Sequence, residues 1–355
     1  MLRKIVLVIL FGAFSIITCA QELRSMFNKA FLAPPDTNYI RHLNDYFGLQ
    51  MSAFQTNSSF DIYDTRRSSK ASYNCIDRSP SVSLGISYKW LALKLGLSMG
   101  IFDSSKDGKK FDLSTQLHFP AITVKLQGNR YTGYELDNLR DSLQKMSIYR
   151  RPDIVTKVMR VSADYYFDYQ RYSRKAFTSQ GEWQRKTGGS VLAGVVWNRN
   201  VMRGDSAFVT SKVQDSLSLS DFPVNKITNM FIGGSGGYAL TCVKNEKWFF
   251  NFQFVVGVGY NNSCLQYIGT PQRNENSAVV FAQGEMGAGY NSNNWFFNIS
   301  ANLFVSDSPM GVERVNVNTE SRLMQFTIAY RIKMEKDYEV TELIQEKWGE
   351  WRRKR

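Results

Sequence analysis

The chain has only two histidines among its 355 residues, and one of them lies where a catalytic histidine could act. Alternate residues of a strand share one face, so His118 would lie on the same side as Ser114 and Gln116. A serine hydrolase needs a histidine beside a serine and a third group that orients the ring. A lipid hydrolase would place its nucleophile within reach of an acyl chain, but His118 belongs to a polar face near a turn. We therefore expect a hydrogen-bonded histidine, and enzyme activity is kept as an alternative.

A second set of candidates combines charged and amide side chains on the polar faces of predicted strands. Ionisable groups at membrane depth are costly unless they are solvated or paired. They could line a water-filled path or close the interior as a lattice of salt bridges, and both interpretations stay open. The candidate lumen-lining residues are Gln116, His118, Lys125, Arg160, Asp164, Gln253, Gln283 and Glu285.

A third set mixes cations with aromatic rings between residues 169 and 186. In a soluble protein this mixture would suggest single-stranded nucleic acid, where cations contact phosphates and rings stack on bases. In an exported protein whose strands close into a membrane barrel, the same mixture is typical of the barrel rim. There, cations contact lipid headgroups and rings lie at the membrane interface. A simple aromatic girdle explains it equally well. The headgroup or rim candidates are Arg171, Arg174, Lys175, Trp183 and Arg185.

The amino terminus predicts export. Arg3 and Lys4 precede an apolar run from Ile5 to Ile17, which has the length of a signal-peptide core. This run is too short to span a bilayer as a helix. Cleavage after Ala20 is expected, and the alternative is a lipoprotein acylated at Cys19.

The remaining cysteines and histidines give little support for a metal site. Cys75, Cys242 and Cys264 would remain after cleavage, an odd number that allows at most one disulfide. Pairing of Cys75 with Cys264 stays open. The chain has no CxxC pair, so we expect no metal site and no cofactor.

Apolar and polar residues alternate with a period of two along most of the chain. Every second residue from Trp248 to Tyr260, and again from Trp295 to Val305, is apolar or aromatic. The opposite faces carry Gly, Ser, Asn and Gln, as in a polar barrel lumen, and the apolar faces begin or end in aromatic residues. Only a closed sheet satisfies every backbone polar group in lipid. The pattern predicts an all-β fold, an antiparallel transmembrane β-barrel, with a secreted sandwich as the alternative.

The connections between these segments predict about 12 strands, within a range of 10 to 14. Bacterial barrels have short periplasmic turns and longer extracellular loops. Long polar loops are predicted at 56–79, 132–155 and 202–226. The two kinds of connection alternate correctly only if residues 156–177 form one long, bent strand.

Several ordered segments resemble the domain-of-unknown-function 4421 family of predicted outer-membrane barrels from Bacteroidota. They are SLGISYKWLALKLGLSMG at residues 83–100, RYSRKAF at 171–177, GEWQRKTGGSVLAG at 181–194, GYALTCVKNEKWFF at 237–250 and GYNSNNWFF at 289–297. The resemblance implies a barrel in the outer membrane. The family carries no assigned activity, so it implies no catalytic residue.

The chain divides into four predicted parts: a signal peptide at 1–20, an N-terminal periplasmic segment at 21–43, the barrel at 44–334 and a basic tail at 335–355. In the tail, Val340, Leu343, Ile344, Trp348 and Trp351 follow helical spacing. An interfacial amphipathic helix and a solvated tail both fit this pattern.

The expected location is the cell outer membrane, and three functions stay open there. The first is a narrow channel or binding barrel for a small solute, and the second is a structural or surface-interaction barrel. The third is a lipid-modifying barrel enzyme. The expected partners are outer-membrane lipid and a small solute or lipopolysaccharide. Nucleic acid is not expected, and the oligomeric state is open.

Overall fold

The computed structural model describes residues 35–64, 69–77, 79–98, 108–140, 146–178, 180–211, 213, 223–269, 271–310 and 315–334. The predicted signal peptide and the C-terminal tail lie outside these residues. The strands are β1 (Ile40–His42), β2 (Tyr46–Asp64), β3 (Ser69–Cys75), β4 (Ser81–Tyr88), β5 (Leu91–Ser98), β6 (Lys109–His118), β7 (Ile122–Arg140), β8 (Met146–Tyr166), β9 (Glu182–Gln184), β10 (Gly188–Arg203), β11 (Val224–Lys244), β12 (Trp248–Tyr267), β13 (Arg273–Asn291), β14 (Trp295–Met310) and β15 (Val315–Lys333), and the helix α1 is Arg174–Thr178.

Twelve strands form a closed antiparallel ring, as the sequence predicts. The order is β2, β4, β5, β6, β7, β8, β10, β11, β12, β13, β14 and β15. The last strand returns to the first in continuous register, from Lys333 opposite Tyr46 to Val315 opposite Asp64. The described helix has only five residues, and no helix in the described ranges is long and apolar enough to cross a bilayer.

Alternation along the strands separates an apolar outer wall from a polar interior. Ile299 is 66% exposed on the outside of β14, whereas its neighbour Ser300 is 8% exposed and faces inward. This arrangement inverts that of a soluble protein and matches a barrel whose outside contacts lipid. Apolar side chains exposed on the outer wall include Leu84, Ile86, Leu95, Leu113, Val195, Ile232, Phe254, Val256, Met286, Met324 and Phe326. We call this surface the outer belt.

The two ends of the barrel differ. The end with short hairpin turns, such as Lys89–Trp90 and Asn245–Glu246, is the turn end, and the opposite end is the loop end. At the loop end the strands run further than the sequence predicts. The stretch 56–79, predicted as a loop, contains the end of β2 and all of β3, and much of 132–155 belongs to β7 and β8. These extensions are strands because their inward apolar side chains pack together above the belt.

Strand β3 narrows the barrel near the loop end. It pairs with β2 along 59–64 and with β7 along 134–136. Strands β4, β5 and β6 have only 8, 8 and 10 residues, whereas β2 and β7 have 19 each. Beyond the loop-end limit of β4, β5 and β6, the single strand β3 therefore fills the wall between β2 and β7.

The prediction of one bent strand over 156–177 is wrong. Strand β8 ends at Tyr166, and the Asp168 carbonyl then accepts hydrogen bonds from the amides of Arg171 and Tyr172, which turns the chain. Ser173 caps α1, because its Oγ accepts a hydrogen bond from the Ala176 amide at 2.9 Å. The ring still has twelve strands, because the chain leaves it after β8 and rejoins it at β10 at the same end of the barrel.

Residues 167–178 and 180–187 fold into the turn end of the lumen, and we call them the turn-end plug. The N-terminal residues 36–43 join them, since β1 pairs with β9 from Ile40 opposite Gln184 to His42 opposite Glu182. Tyr166, Tyr169 and Tyr172 pack there against inward residues of β10, β11 and β12.

A second segment, residues 204–211 together with Val213, folds across the loop end, and we call it the loop-end plug. Phe208 is fully buried against Phe60, and its carbonyl accepts a hydrogen bond from Tyr73 Oη. Arg151 donates to the carbonyls of Ala207 at 2.9 Å and Ser206 at 3.2 Å. The surrounding cluster joins 17 buried apolar residues and is larger than the apolar cluster at the turn end.

A charge on the outer belt should cost far more than the same charge inside. We expect Ile299→Arg to lower the free energy of unfolding by about 2–4 kcal/mol, because Arg at this depth would face lipid. The measurement is urea-induced unfolding of the protein in lipid vesicles, followed by tryptophan fluorescence.

The matched control is Asn302→Arg on the same strand, which faces the lumen directly across from Glu285. Asn302→Arg should lower the free energy of unfolding by clearly less than Ile299→Arg does. Equal costs for the two variants would show that the faces are wrongly assigned.

Candidate functional site

Between the two plugs the lumen contains a largely polar chamber of about 190 Å³. Its walls come from the inward faces of β2, β5, β6, β7, β8, β10, β13, β14 and β15 together with α1. Most of the lining side chains are Ser, Thr, Asn and Gln. Such a lining suits water or a polar solute, because buried polar groups need hydrogen-bond partners.

The chamber carries more positive than negative charge. Its lining includes four cations, Lys94, Lys125, Arg160 and Arg174, against two carboxylates, Asp112 and Glu285. The Asp112 carboxylate accepts hydrogen bonds from Asn129 and from Tyr131 Oη.

The floor of the chamber is an ion pair between the plug and the wall. Arg174 Nη2 of α1 lies 2.5 Å from Glu285 Oε2 of β13, and these residues are only 7% and 5% exposed. The Phe177 ring packs beside them over Gly287, where a Cβ atom would lie only 2.8 Å from the ring. A buried pair of this kind is costly to break from one side, because the remaining charge is left uncompensated. We call the Arg174–Glu285 pair the latch.

Two further contacts hold the turn-end plug at Thr178 and Gln180, just after α1. Arg331 Nε donates to the Gln180 carbonyl at 2.8 Å, and its Nη1 donates to Asn291 Oδ1 at 2.9 Å. His118 Nε2 lies 3.2 Å from Thr178 Oγ1. These contacts link the plug to β15, β13 and β6.

The turn-end plug contains a buried acid of its own, Glu182. Its carboxylate accepts a hydrogen bond from Ser173 Oγ at 2.5 Å and lies 3.2 Å from His42 Nδ1. Burial raises the pKa of Glu182, but the hydrogen bonds from His42 and Ser173 and the nearby Lys175 ammonium outweigh it, so the pKa is lowered. The acid joins α1 to β1 and β9 within the plug.

The candidate lumen residues all lie on the inner side of the barrel. Gln116, Lys125, Arg160, Gln283 and Glu285 line the chamber. His118 and Gln253 lie at the plug instead, and Gln253 Oε1 accepts a hydrogen bond from Tyr166 Oη at 3.2 Å. Asp164 lies opposite Gly194 in the β8–β10 ladder.

The candidate rim residues divide into two groups. Arg174 and Lys175 belong to the interior of the turn-end plug, because the chain folds inward after Tyr166 instead of continuing as a strand; placing these two at the rim was wrong. Trp183 is buried beside the β11–β12 turn, where its Nε1 donates to the Glu246 carbonyl at 2.6 Å. Arg171 and Arg185 do lie at the surface of the turn end. The Arg171 guanidinium is 5.5 Å from the Tyr39 ring, and Arg185 pairs with Glu246 at 2.9 Å.

Four residues that shape the chamber were not among the predicted candidates: Lys94, Asp112, Gln180 and Arg331. Strand alternation could have found Lys94, Asp112 and Arg331, since each lies between two outward-facing apolar or aromatic residues of its strand. No local pattern predicts the contact of Arg331 with Gln180, because it depends on how the turn-end plug folds back into the lumen.

His118 is placed as a structural residue. Thr178 Oγ1 donates its only proton to the Arg174 carbonyl at 3.0 Å, so His118 Nε2 donates to the same hydroxyl. The remaining ring nitrogen lies 3.2 Å from Thr123 Oγ1. Both ring nitrogens therefore contact threonines, and neither contacts Ser114, the serine on the same strand face.

The three described cysteines are free thiols. Cys75 is buried in the loop-end cluster, and this burial raises its pKa to about 11. Cys264 is half-buried on β12 and does not pair with it.

Comparison with known proteins assigns the family. A family model described as a domain of unknown function (DUF4421) matches residues 34–332. The chain belongs to this family. No curated protein matches the chain in sequence.

Solved structures with a similar fold include bacterial barrels of very different sequence. The outer membrane protease OmpT from Escherichia coli is 10% identical, with a TM-score of 0.36 over 82% of this chain and 98% of the protease. The translocator domain of the autotransporter NalP from Neisseria meningitidis is 12% identical, with a TM-score of 0.40 over 80% of this chain and 88% of that domain.

Breaking the latch should expose the plug. In a background with Cys75, Cys242 and Cys264 replaced by Ser, Ala176→Cys places a buried thiol on α1. We expect Glu285→Gln to speed maleimide labelling of this thiol about 100-fold, because an unpaired buried Arg174 costs about 3–5 kcal/mol and labelling requires local opening.

The control is Glu246→Gln, which removes the partner of the exposed Arg185 and should leave labelling nearly unchanged. The double variant Arg174→Leu with Glu285→Leu should label more slowly than Glu285→Gln alone. Equal labelling of the parent and Glu285→Gln would contradict the latch.

Proposed function

We propose that the protein is an outer-membrane barrel that binds a small polar solute in the chamber between its two plugs. The observation that carries this proposal is the polar chamber inside the lumen, with its excess of positive charge. A barrel that only provided structure would gain more stability from an apolar or tightly packed interior, because each buried polar group must be satisfied.

The outer belt and the closed ring support the location. Every strand of the ring has a neighbour on both sides, so no backbone edge would face lipid. The short hairpins favour the periplasm for the turn end and the outside of the cell for the loop end. The extended β2, β3, β7 and β8 would then project from the cell surface.

The two plugs favour a binding chamber over an open pore. At the loop end, 17 buried apolar residues form one cluster, and exposing them would cost roughly 25 cal/mol per Å² of apolar surface. At the turn end, the contacts that bound the chamber are largely polar, and water can replace them when the plug moves. Solute would therefore reach the chamber from the turn end.

One observation favours a second function, a surface-interaction barrel. Beyond the end of β10, the β7–β8 hairpin continues as paired strands, from Thr132 opposite Val155 to Arg140 opposite Met146. Ile148 on this extension is 64% exposed. An exposed apolar residue on an extended hairpin is suited to contact with another protein.

The binding-chamber proposal predicts little ion flow through the resting protein. Purified full-length protein in a planar bilayer should give no steady conductance at neutral pH, because both ends of the lumen are occupied. Phe208→Ala with Glu285→Gln weakens both closures and should raise the conductance. A steady current through the unmodified protein would contradict the proposal and favour an open channel.

A further inference from the structure

We propose that the chamber binds a small oxyanion, a carboxylate or a phosphate, between Lys125, Arg160 and Arg174. This inference rests on the proposed function, because it names the solute class for the same chamber. The three cations come from β7, β8 and the turn-end plug, so an anion at this position would touch both the wall and the plug.

Lys125 is the cation that most requires a ligand. It lines the chamber, yet within the described residues its ammonium makes no hydrogen bond and lies in no ion pair within 4.0 Å, and the two carboxylates that act on it electrostatically, Glu285 and Asp164, lie farther away. In the β7–β8 ladder Lys125 is opposite Ser162, so Arg160 and Asp164 are its diagonal neighbours on the inner face. Diagonal neighbours in a ladder are about 7–8 Å apart, close enough for a bound oxyanion to bridge Lys125 and Arg160.

Arg160 is held in place without a carboxylate. Its guanidinium carbon lies 3.3 Å from the centre of the Phe304 ring, and its Nε donates to Asn198 Oδ1 at 3.1 Å. Phe304 stacks in turn on Phe281, which is part of a buried aromatic cluster in the wall. The ring and the amide fix the guanidinium plane, and the two terminal nitrogens are left for a planar acceptor such as a carboxylate.

Arg174 offers a third donor from the plug. Its Nη2 is engaged by Glu285, but its buried Nη1 has no partner in the described structure. A buried guanidinium nitrogen without a partner costs free energy, and a bound oxyanion would remove that cost.

The charge balance agrees with an anion. Two more inward charges border the chamber, the buried Lys110, which donates to the Thr56 carbonyl, and Asp164. Including them gives five cations and three carboxylates, still an excess of two. The chamber of about 190 Å³ has room for several waters or for a small dianion.

The test uses the full-length protein in detergent micelles, with inorganic phosphate, succinate and the neutral solute glycerol as probes. Calorimetry should show saturable binding of phosphate or succinate and none of glycerol. Lys125→Gln should weaken anion binding at least tenfold. Lys186→Gln removes an exposed cation at the turn end and should bind as the parent does.

A stability measurement separates a binding role from a purely structural one. The bound anion should raise the unfolding temperature of the parent, because a ligand that binds only the folded state stabilises it. Lys125→Gln should be at least as stable as the parent without anion, since it removes an unpaired charge, but should lose the anion-dependent increase.

Equal affinity of the parent and Lys125→Gln would overturn the assignment of the site. Binding of glycerol in place of either anion would overturn the solute class and leave the binding chamber intact. Absence of binding for all three probes, together with a steady conductance of the parent, would overturn the proposed function as well.

Discussion

Closure of the backbone hydrogen-bond ladder is the constraint on which the rest of this structure depends. A sheet that closes on itself has no free edge, so each strand can present an apolar face to lipid at no cost in unpaired backbone groups. Because side chains alternate, the same closure forces every other residue into the interior. An apolar outer belt on alternate residues therefore leaves the remaining residues facing inward, and these polar inward residues line the chamber.

A ring of twelve strands encloses more space than inward side chains alone can fill. The chain fills the excess with its own connections on either side of β10. The turn-end plug precedes this strand and the loop-end plug follows it, and the chamber is the space that remains between them. The plugs differ in chemistry, since one is fastened to the chamber wall by Arg174, His118 and Arg331 and the other is packed around Phe208.

Strand alternation predicts most of the fold, because a period of two is visible in any single segment. The outer belt, the twelve strands and the inward positions of Lys125, Arg160 and Glu285 all follow from it. Alternation fails between Tyr166 and Gly188, where Asp168 and Ser173 end one strand and begin a helix. A continued strand and an inward fold both satisfy the topology, so the pairing of Arg174 with Glu285, 111 residues away, was not accessible from the sequence.

The chamber should be closed from outside the cell and should be reached from the turn end when the turn-end plug moves. The most direct test is maleimide labelling of Gln283→Cys, a chamber residue, in a background in which Cys75, Cys242 and Cys264 are replaced by Ser. An impermeant maleimide should leave this thiol unlabelled on intact cells. Once the outer membrane is permeabilised, labelling should appear, and Glu285→Gln should accelerate it. Rapid labelling on intact cells, unchanged by permeabilisation, would contradict closure at the loop end and entry from the turn end.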